Sequence, residues 1–450
     1  MGKLFGTDGV RGVANSELTV DLAFELGKAV THVLQQKNKR PVIIIGRDTR
    51  VSGDMLENAL TAGILAVGGN VIKLGIIPTP AVAYLVKYYD ADAGVVISAS
   101  HNKFEYNGIK IFNSEGYKLD DRIEEEIEDI ILRRECITDH KIGDKIGKCL
   151  EASESAIDIY KRFLLETVAL DLSGLNIVLD TANGAAYKVA EEVFRKLNAE
   201  VTIISNMPDG ININDECGST HTEGLQHKVK EINADVGLAF DGDADRLIVV
   251  DEKGLVVDGD KVICICAKLL KAQNKLRDDV VTVSVMSNLG LHKFMKEHGI
   301  DVKVTAVGDR YILESMIKSG CVLGGEQSGH IIFKDYSTTG DGIMSALQFL
   351  KAIKDEGKTI SQLSDEITIY PQVLVNAEVL NKNKGAYKED PEIINEIKRI
   401  EETMKGNGRV LIRPSGTEPL VRVMIEGDDI EKIHGLAQGL ADMISGKYKG

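Results

Sequence analysis

Short apolar runs alternate along this chain with longer segments of helical period. Pro41-Val-Ile-Ile-Ile45, Asn176-Ile-Val-Leu179 and Val280-Val-Thr-Val-Ser-Val285 each enter a turn of small polar residues and then a helical pattern. The alternation predicts parallel α/β layers, and its recurrence predicts three related units. Later in each unit another strand runs into unusual chemistry: Gly94-Val-Val-Ile-Ser98 into Ser100, Val236-Gly-Leu-Ala-Phe240 into Asp241, and Cys321-Val-Leu323 into Glu326. Ligands of open α/β sheets bind beyond the carboxyl ends of the strands, so three equivalent turns are expected at one cleft.

After Ser361-Gln-Leu-Ser-Asp-Glu366 the pattern changes. Ile367 to Val379 is strand-like, a helix runs from Pro391 to Met404, strands follow at Arg409 to Ile412 and Leu420 to Ile425, and a helix closes the chain from Asp429. This mixed piece predicts a smaller α+β domain. The expected domains are 1–150, 151–253, 254–368 and 369–450, within the three or four that 450 residues suggest at about 150 per domain. Asp120 to Glu135 carries Ile123, Ile127, Ile130 and Ile131 on one stripe and predicts an amphipathic surface helix.

Composition narrows the classes. The 43% hydrophobic and 27% charged residues are ordinary globular values. No apolar run reaches the roughly 20 residues of a membrane span. The opening Met1-Gly-Lys-Leu-Phe-Gly-Thr-Asp has no apolar signal core, and Gly6 stands where a myristoylation motif needs Ser or Thr, so a cytoplasmic protein is expected. A net charge of −15 argues against nucleic acid or an anionic membrane as partner, so an anionic substrate would need a local basic pocket. Cys136, Cys149, Cys217, Cys264, Cys266 and Cys321 include no C-x-x-C pair and are expected to be reduced packing residues.

Asp241-Gly-Asp243-Ala-Asp245-Arg246 crowds three carboxylates at a strand exit, a pattern suited to one hard cation such as Mg²⁺. An EF-hand would need glycine where Arg246 stands and a helix where Leu247-Ile-Val-Val250 reads as a strand. A phosphatase with an aspartyl nucleophile is the chemically sensible alternative. A solvated acidic turn fits poorly after so apolar a strand. Ser98-Ala-Ser100-His101-Asn102, ahead of Tyr106-Asn-Gly-Ile-Lys110, is by itself an ordinary turn, and it is not a G-x-S-x-G elbow. A phosphorylated Ser100 would offer oxygens to the same metal. Arg413-Pro-Ser415-Gly416-Thr417-Glu418-Pro, with Arg422 in the next strand, is either a plain turn or a phosphate clamp. Gly324-Gly-Glu326-Gln-Ser328-Gly-His330 suits a polyhydroxylated ligand, with His330 a candidate proton carrier.

Together these four loops, in this order and over the full chain, resemble the active-site loops of the α-D-phosphohexomutase superfamily. Leu4-Phe-Gly-Thr-Asp-Gly-Val-Arg-Gly12 and Gln327 are similar to its bacterial glucosamine-phosphate branch rather than its mannose- or glucose-phosphate branch. The resemblance implies a heart-shaped α/β fold of four domains, three with mixed sheets and a smaller C-terminal α+β domain, around a central cleft. It implies interconversion of glucosamine 6-phosphate and glucosamine 1-phosphate through a phosphoserine and a 1,6-bisphosphate, for amino-sugar nucleotide and cell-wall synthesis. Phosphorylated Ser100, Asp241, Asp243 and Asp245 would hold one Mg²⁺ per chain. Glu326 and Ser328 would take sugar hydroxyls, and Arg413, Ser415, Gly416 and Thr417, with Arg422, the nonreacting phosphate. Lys110 and His330 are the candidate base and acid, Arg11 and Arg246 the charge stabilisers, and Arg310 a substrate selector. The implied partner is a sugar phosphate, with no nucleic acid and no membrane insertion. Members are commonly dimers, so a homodimer is allowed, although no interface stripe stands out. A mannose- or glucose-phosphate mutase, the aspartyl phosphatase and a noncatalytic sugar-phosphate sensor are the alternatives.

Overall fold

In a computed structural model of the chain, residues 4–6, 8–35, 40–133, 140–415 and 418–449 are described. Gly416, Thr417 and Cys136 lie outside them. The chain forms two compact units, 1–286 with 300–365, and 287–299 with 366–450.

The first unit is built on one four-strand pattern used three times. In the first repeat Val42–Arg47 lies parallel to both Asn70–Ile76 and Ala93–Ile97, and Tyr106–Asn113 pairs antiparallel with Ala93–Ile97. The second repeats this with Asn176–Asp180, Glu200–Ile204, Val236–Phe240 and Leu247–Asp251. The third uses Val280–Ser284, Asp301–Thr305, Leu323–Gly325 and Ile331–Phe333. Each sheet is therefore parallel until its fourth strand turns back, and that reversal leaves a loop at the carboxyl end of the third strand. Phe5–Gly6, Gly9–Val13 and Cys149–Glu151 extend the first sheet, and Val256–Val257 the second.

Burial on both faces explains the near-continuous Val/Ile runs of the central strands. Ile43, Ile44, Ile45, Val95 and Val96 are all buried. On the first sheet helix Val20–Gln35 crosses Ser52–Ala66 closely: a Cβ on Gly27 would lie 2.3 Å from Leu60 O, and one on Gly63 2.1 Å from Phe24 O. Helix Asp121–Leu132 buries Ile127 and packs Ile123, Ile130 and Ile131 on the same core, as its stripe predicts.

Two expectations shift. The strand predicted at Cys321 to Leu323 runs instead through Leu323–Gly325. Its glycines are needed because a Cβ on Gly324 would sit 2.7 Å from Thr282 O and one on Gly325 2.5 Å from His330 O. Cys149 is exposed on an edge strand and does no packing, whereas Cys217, Cys264, Cys266 and Cys321 are buried, and all five are free thiols.

The second unit carries an antiparallel sheet in the order Gln372–Glu378, Leu420–Gly427, Gly408–Pro414. Helices Pro391–Thr403 and Ile430–Tyr448 pack on it around Val421, Val423, Ile425, Ile433 and Ile444. The strand predicted from Ile367 begins only at Gln372, after Pro371, which has no N–H to give to a ladder.

Candidate active site

The three reversal loops carry Ser100, Asp241 to Arg246, and Glu326 to His330. Ser100 Oγ donates to Asp241 Oδ2 at 2.6 Å, so the first two repeats meet where the sequence predicts. Ser100 is buried and holds φ +53°, a left-handed conformation that side chains avoid unless their surroundings impose it. Gly242 permits the approach: a Cβ there would lie 2.5 Å from Ser100 O.

Asp241, Asp243 and Asp245 are buried, with one oxygen from each lying within 4.8 Å of the others. Asp241 is engaged by Ser100 Oγ and, at 3.2 Å, by Arg246 N–H. Asp243 Oδ2 accepts from Thr79 Oγ1 at 2.7 Å and Lys110 Nζ at 2.9 Å. Asp243 Oδ1 and Asp245 Oδ1 are buried and make no hydrogen bond among the described residues. Burial, then the charges of Asp245 and Asp243, push Asp241 well above the usual carboxylate range. Oxygen-only donors, two orphaned buried carboxylate atoms and an Asp241 held above its usual range by its two neighbours fit a hard divalent cation.

A chain of alternating charge surrounds this centre. Lys110 Nζ lies 2.9 Å from Asp243, 3.3 Å from Asp8 and 3.9 Å from Asp245. Burial opposes its charge, but the three carboxylates outweigh burial and raise its pKa, so it is held as an ammonium. Asp8 also pairs with Arg11 and Lys118, and Lys118 reaches Asp309 of the third repeat at 2.5 Å. Burial works against the Asp8 carboxylate, yet Lys110, Lys118 and Arg11 hold it well below its usual range. Arg246 Nε lies 3.8 Å from Asp245 Oδ1.

His330 is buried, with Nδ1 3.5 Å from Asp245 and Nε2 accepting from Gly340 N–H at 3.1 Å. Both ring nitrogens are therefore occupied, and the Gly340 bond places the proton of the neutral ring on Nδ1, facing Asp245. His101 Nδ1 lies 3.3 Å from Ser100 Oγ. Burial, then Arg246 and Arg11, lower the His101 pKa to about 4, which keeps the ring neutral.

The third repeat is joined to the second through backbone: Leu247 N–H donates to Gly329 O at 3.0 Å and Gly342 N–H to Ala244 O at 2.9 Å. Glu326 Oε1 accepts from Gly308 N–H at 3.1 Å, and Ser328 is exposed. A cavity of about 250 Å³ opens beside them, lined by Tyr117, Lys118, Asp309, Arg310, His330 and Thr339 among others. Arg310 pairs with Asp121, with Glu124 at 3.5 Å and with Glu314 at 3.4 Å, so it also ties the third repeat to helix Asp121–Leu132.

In the second unit Arg413 and Arg422 are direct cross-strand partners. Like charges facing each other repel. Burial and then Arg422 lower the Arg413 pKa, while Glu418 approaches Arg422 at 3.5 Å. Ser415 N–H is bonded to Leu420 O, and Lys384 Nζ donates to Ser415 O at 2.8 Å. Two guanidiniums and a lysine around one turn suit an anion.

Asp8 lies inside the Leu4–Gly12 stretch, but nothing in the sequence pairs it with Lys118 or with Asp309; the three meet only through tertiary contact. Asp48 and Arg50 carried a usable signal, since they follow the apolar strand Val42–Arg47 directly, as Ser100 follows its own.

Residues 2–136, 158–254, 258–370 and 374–443 match, in order, the family domains described as Phosphoglucomutase/phosphomannomutase alpha/beta/alpha domain I, domain II, domain III and C-terminal domain. The chain belongs to the phosphoglucomutase/phosphomannomutase family. It is 57% identical over 447 residues to the phosphoglucosamine mutase of Clostridium novyi (strain NT), covering 99% of each chain. It is likewise 57% identical over 447 residues to that of Clostridioides difficile (strain 630), covering 99% of this chain and 100% of the relative. Its fold matches a phosphoglucomutase/phosphomannomutase family protein from Burkholderia thailandensis at TM-score 0.80 and 23% identity, over 100% and 99% of the two chains. It also matches the N-acetylphosphoglucosamine mutase of Aspergillus fumigatus, solved with GlcNAc-6P and magnesium, at TM-score 0.69 and 16% identity, over 99% and 96%. Among the described residues no helix is long and apolar enough to cross a membrane.

Proposed function

We propose that this chain is a phosphoglucosamine mutase, an intramolecular phosphotransferase that interconverts glucosamine 6-phosphate and glucosamine 1-phosphate in the cytoplasm. One observation carries the reading: in a chain 57% identical, nearly end to end, to enzymes of that name, Ser100 Oγ lies 2.6 Å from Asp241, the first of the buried aspartate trio.

Ser100 is the phosphoryl carrier. Its P–O bond breaks as the free sugar hydroxyl forms a new one, and the proton that hydroxyl gives up is passed by the base and acid candidates to the released Ser100 Oγ; the 1,6-bisphosphate then turns end over end and returns its other phosphoryl group to Ser100, with the proton moving the opposite way. Asp241, Asp243, Asp245 and an oxygen on Ser100 would hold one Mg²⁺, which when bound supplies positive charge to the transferring group. Lys110, Arg11 and Arg246 gather further positive charge there. Lys110 and His330 are the base and acid candidates; the ammonium form of Lys110 suits the donor half of the cycle, and His330 fixes Asp245 through Nδ1. Glu326 and Ser328 receive sugar hydroxyls in either orientation. Arg413, Ser415, Gly416, Thr417 and Arg422 take the nonreacting phosphate, and Arg310 contributes to selection.

The decisive experiment is Ser100→Ala in the full chain. Turnover of glucosamine 6-phosphate falls by about three orders of magnitude or more while binding by calorimetry persists, and intact mass loses the one added phosphate. Retained turnover, or release of free phosphate by the variant, would favour the aspartyl phosphatase instead.

A further inference from the structure

The left-handed Ser100 is held from outside its own loop. Arg50 Nη2 donates to Ser100 O at 2.9 Å and Asn102 O at 2.8 Å. Its Nη1 donates to Tyr106 O at 3.0 Å and to Lys103 O. One guanidinium thus gathers four carbonyls of a single loop. Asn214 Nδ2 donates to the same first pair, Ser100 O at 2.8 Å and Asn102 O at 3.0 Å.

Arg50 is 1% exposed, and its charge is met by Asp48 at 2.8 Å. Asp48 Oδ2 accepts from Ser98 Oγ at 2.6 Å, and Ser98 Oγ in turn accepts from Ser100 N–H at 2.9 Å. Both ends of the Ser100 backbone are thereby fixed by one buried network. Asn214 comes from the second repeat, with its own N–H bonded to Ala182 O at 3.0 Å. The Gly242 gap lies against the same atoms: a Cβ there would be 2.5 Å from Ser100 O and 2.8 Å from Asn214 Nδ2.

A buried ion pair is seldom worth more to stability than well-packed apolar side chains of equal volume. What this one supplies is geometry. The reaction requires Ser100 to present its oxygen identically before and after it carries about −1.5 to −2 charge, and a rigid scaffold removes the cost of re-forming that geometry in each half-cycle.

We propose that Arg50 and Asn214 are positioning residues for the phosphoryl-transfer step, clamping the Ser100 and Asn102 carbonyls from two repeats so that Ser100 Oγ stays aimed at the aspartate loop. The inference rests on the mutase reading. Neither side chain touches the aspartate carboxylates or the cavity beside the sugar loop.

The test uses full-length enzyme with Mg²⁺ and glucosamine 6-phosphate. Asn214→Ala removes the donor, and the near-isosteric Asn214→Asp replaces it with an acceptor. Both lower kcat by about 10- to 100-fold, with KM within about twofold and the folded fraction by circular dichroism unchanged. Arg50→Lys, which keeps charge but not the fork, is expected to lose more. It is the less clean variant, because the Nε hydrogen bond to Asp48 is lost along with the carbonyl clamp, so the Asn214 pair decides. Either Asn214 variant at wild-type kcat, a rise confined to KM, or a loss of rate that tracks loss of folded protein overturns the clamp. A wild-type enzyme that fails to isomerise the sugar phosphate overturns the mutase reading instead, so the two failures are distinct.

Discussion

Asp243 shows how little freedom an individual side chain has at this centre. One oxygen is shared by Thr79 and Lys110, and the other is buried without a hydrogen bond among the described residues. Asp243→Asn keeps the shape but puts an amide where a hard cation needs an anionic oxygen. The expected result is an affinity for Mg²⁺ weakened by about tenfold or more, read by calorimetric titration of the metal alone as well as by the Mg²⁺ dependence of turnover. A chelator is expected to abolish turnover reversibly. Arg246 and Asp245 belong to the same short motif, so the sequence brings them together by proximity alone. Asp8 and Lys110, 102 positions apart, had to be brought together by the pairing of Gly9–Val13 with Tyr106–Asn113.

The strand exits were legible because a buried parallel strand leaves a continuous apolar run, and Val236–Phe240 announces its own end at Asp241. Leu323–Gly325 was not, since two of its three residues are glycines kept for close backbone approach rather than strand preference. Helix Gly342–Glu356 shows a further limit. Its capping residue Asp341 accepts from Met344 N–H at 3.0 Å and Tyr160 Oη–H at 2.7 Å, the latter 181 residues away in sequence. Burial raises the Asp341 pKa to about 6 against those two bonds. A raised acid binds its proton more tightly in the folded chain, so its contribution to stability is complete below about pH 4 and lost as pH climbs through about 6. The difference corresponds to roughly 3 kcal/mol. Asp341→Asn keeps an acceptor at the cap and is expected to flatten the pH dependence of the denaturation midpoint between pH 4 and 6 relative to wild type.

In the larger unit, ionic contacts link the repeats. Lys118 bridges Asp8 of the first repeat and Asp309 of the third, and Lys110 bridges Asp8 to Asp243 of the second. Lys118→Met leaves two mostly buried carboxylates facing each other and should cost about 2–3 kcal/mol in guanidinium denaturation, short of the full penalty for a sealed pair. Adding Asp8→Asn and Asp309→Asn should recover part of that loss, which a purely steric effect of methionine would not allow. The threefold use of one strand order also distributes the candidate site: Ser100, the aspartate trio and the loop of Glu326 and His330 hang from different copies of the same scaffold. A chain cut between the first two sheets is expected to lose turnover, because Ser100 and its partner Asp241 would then belong to separate polypeptides.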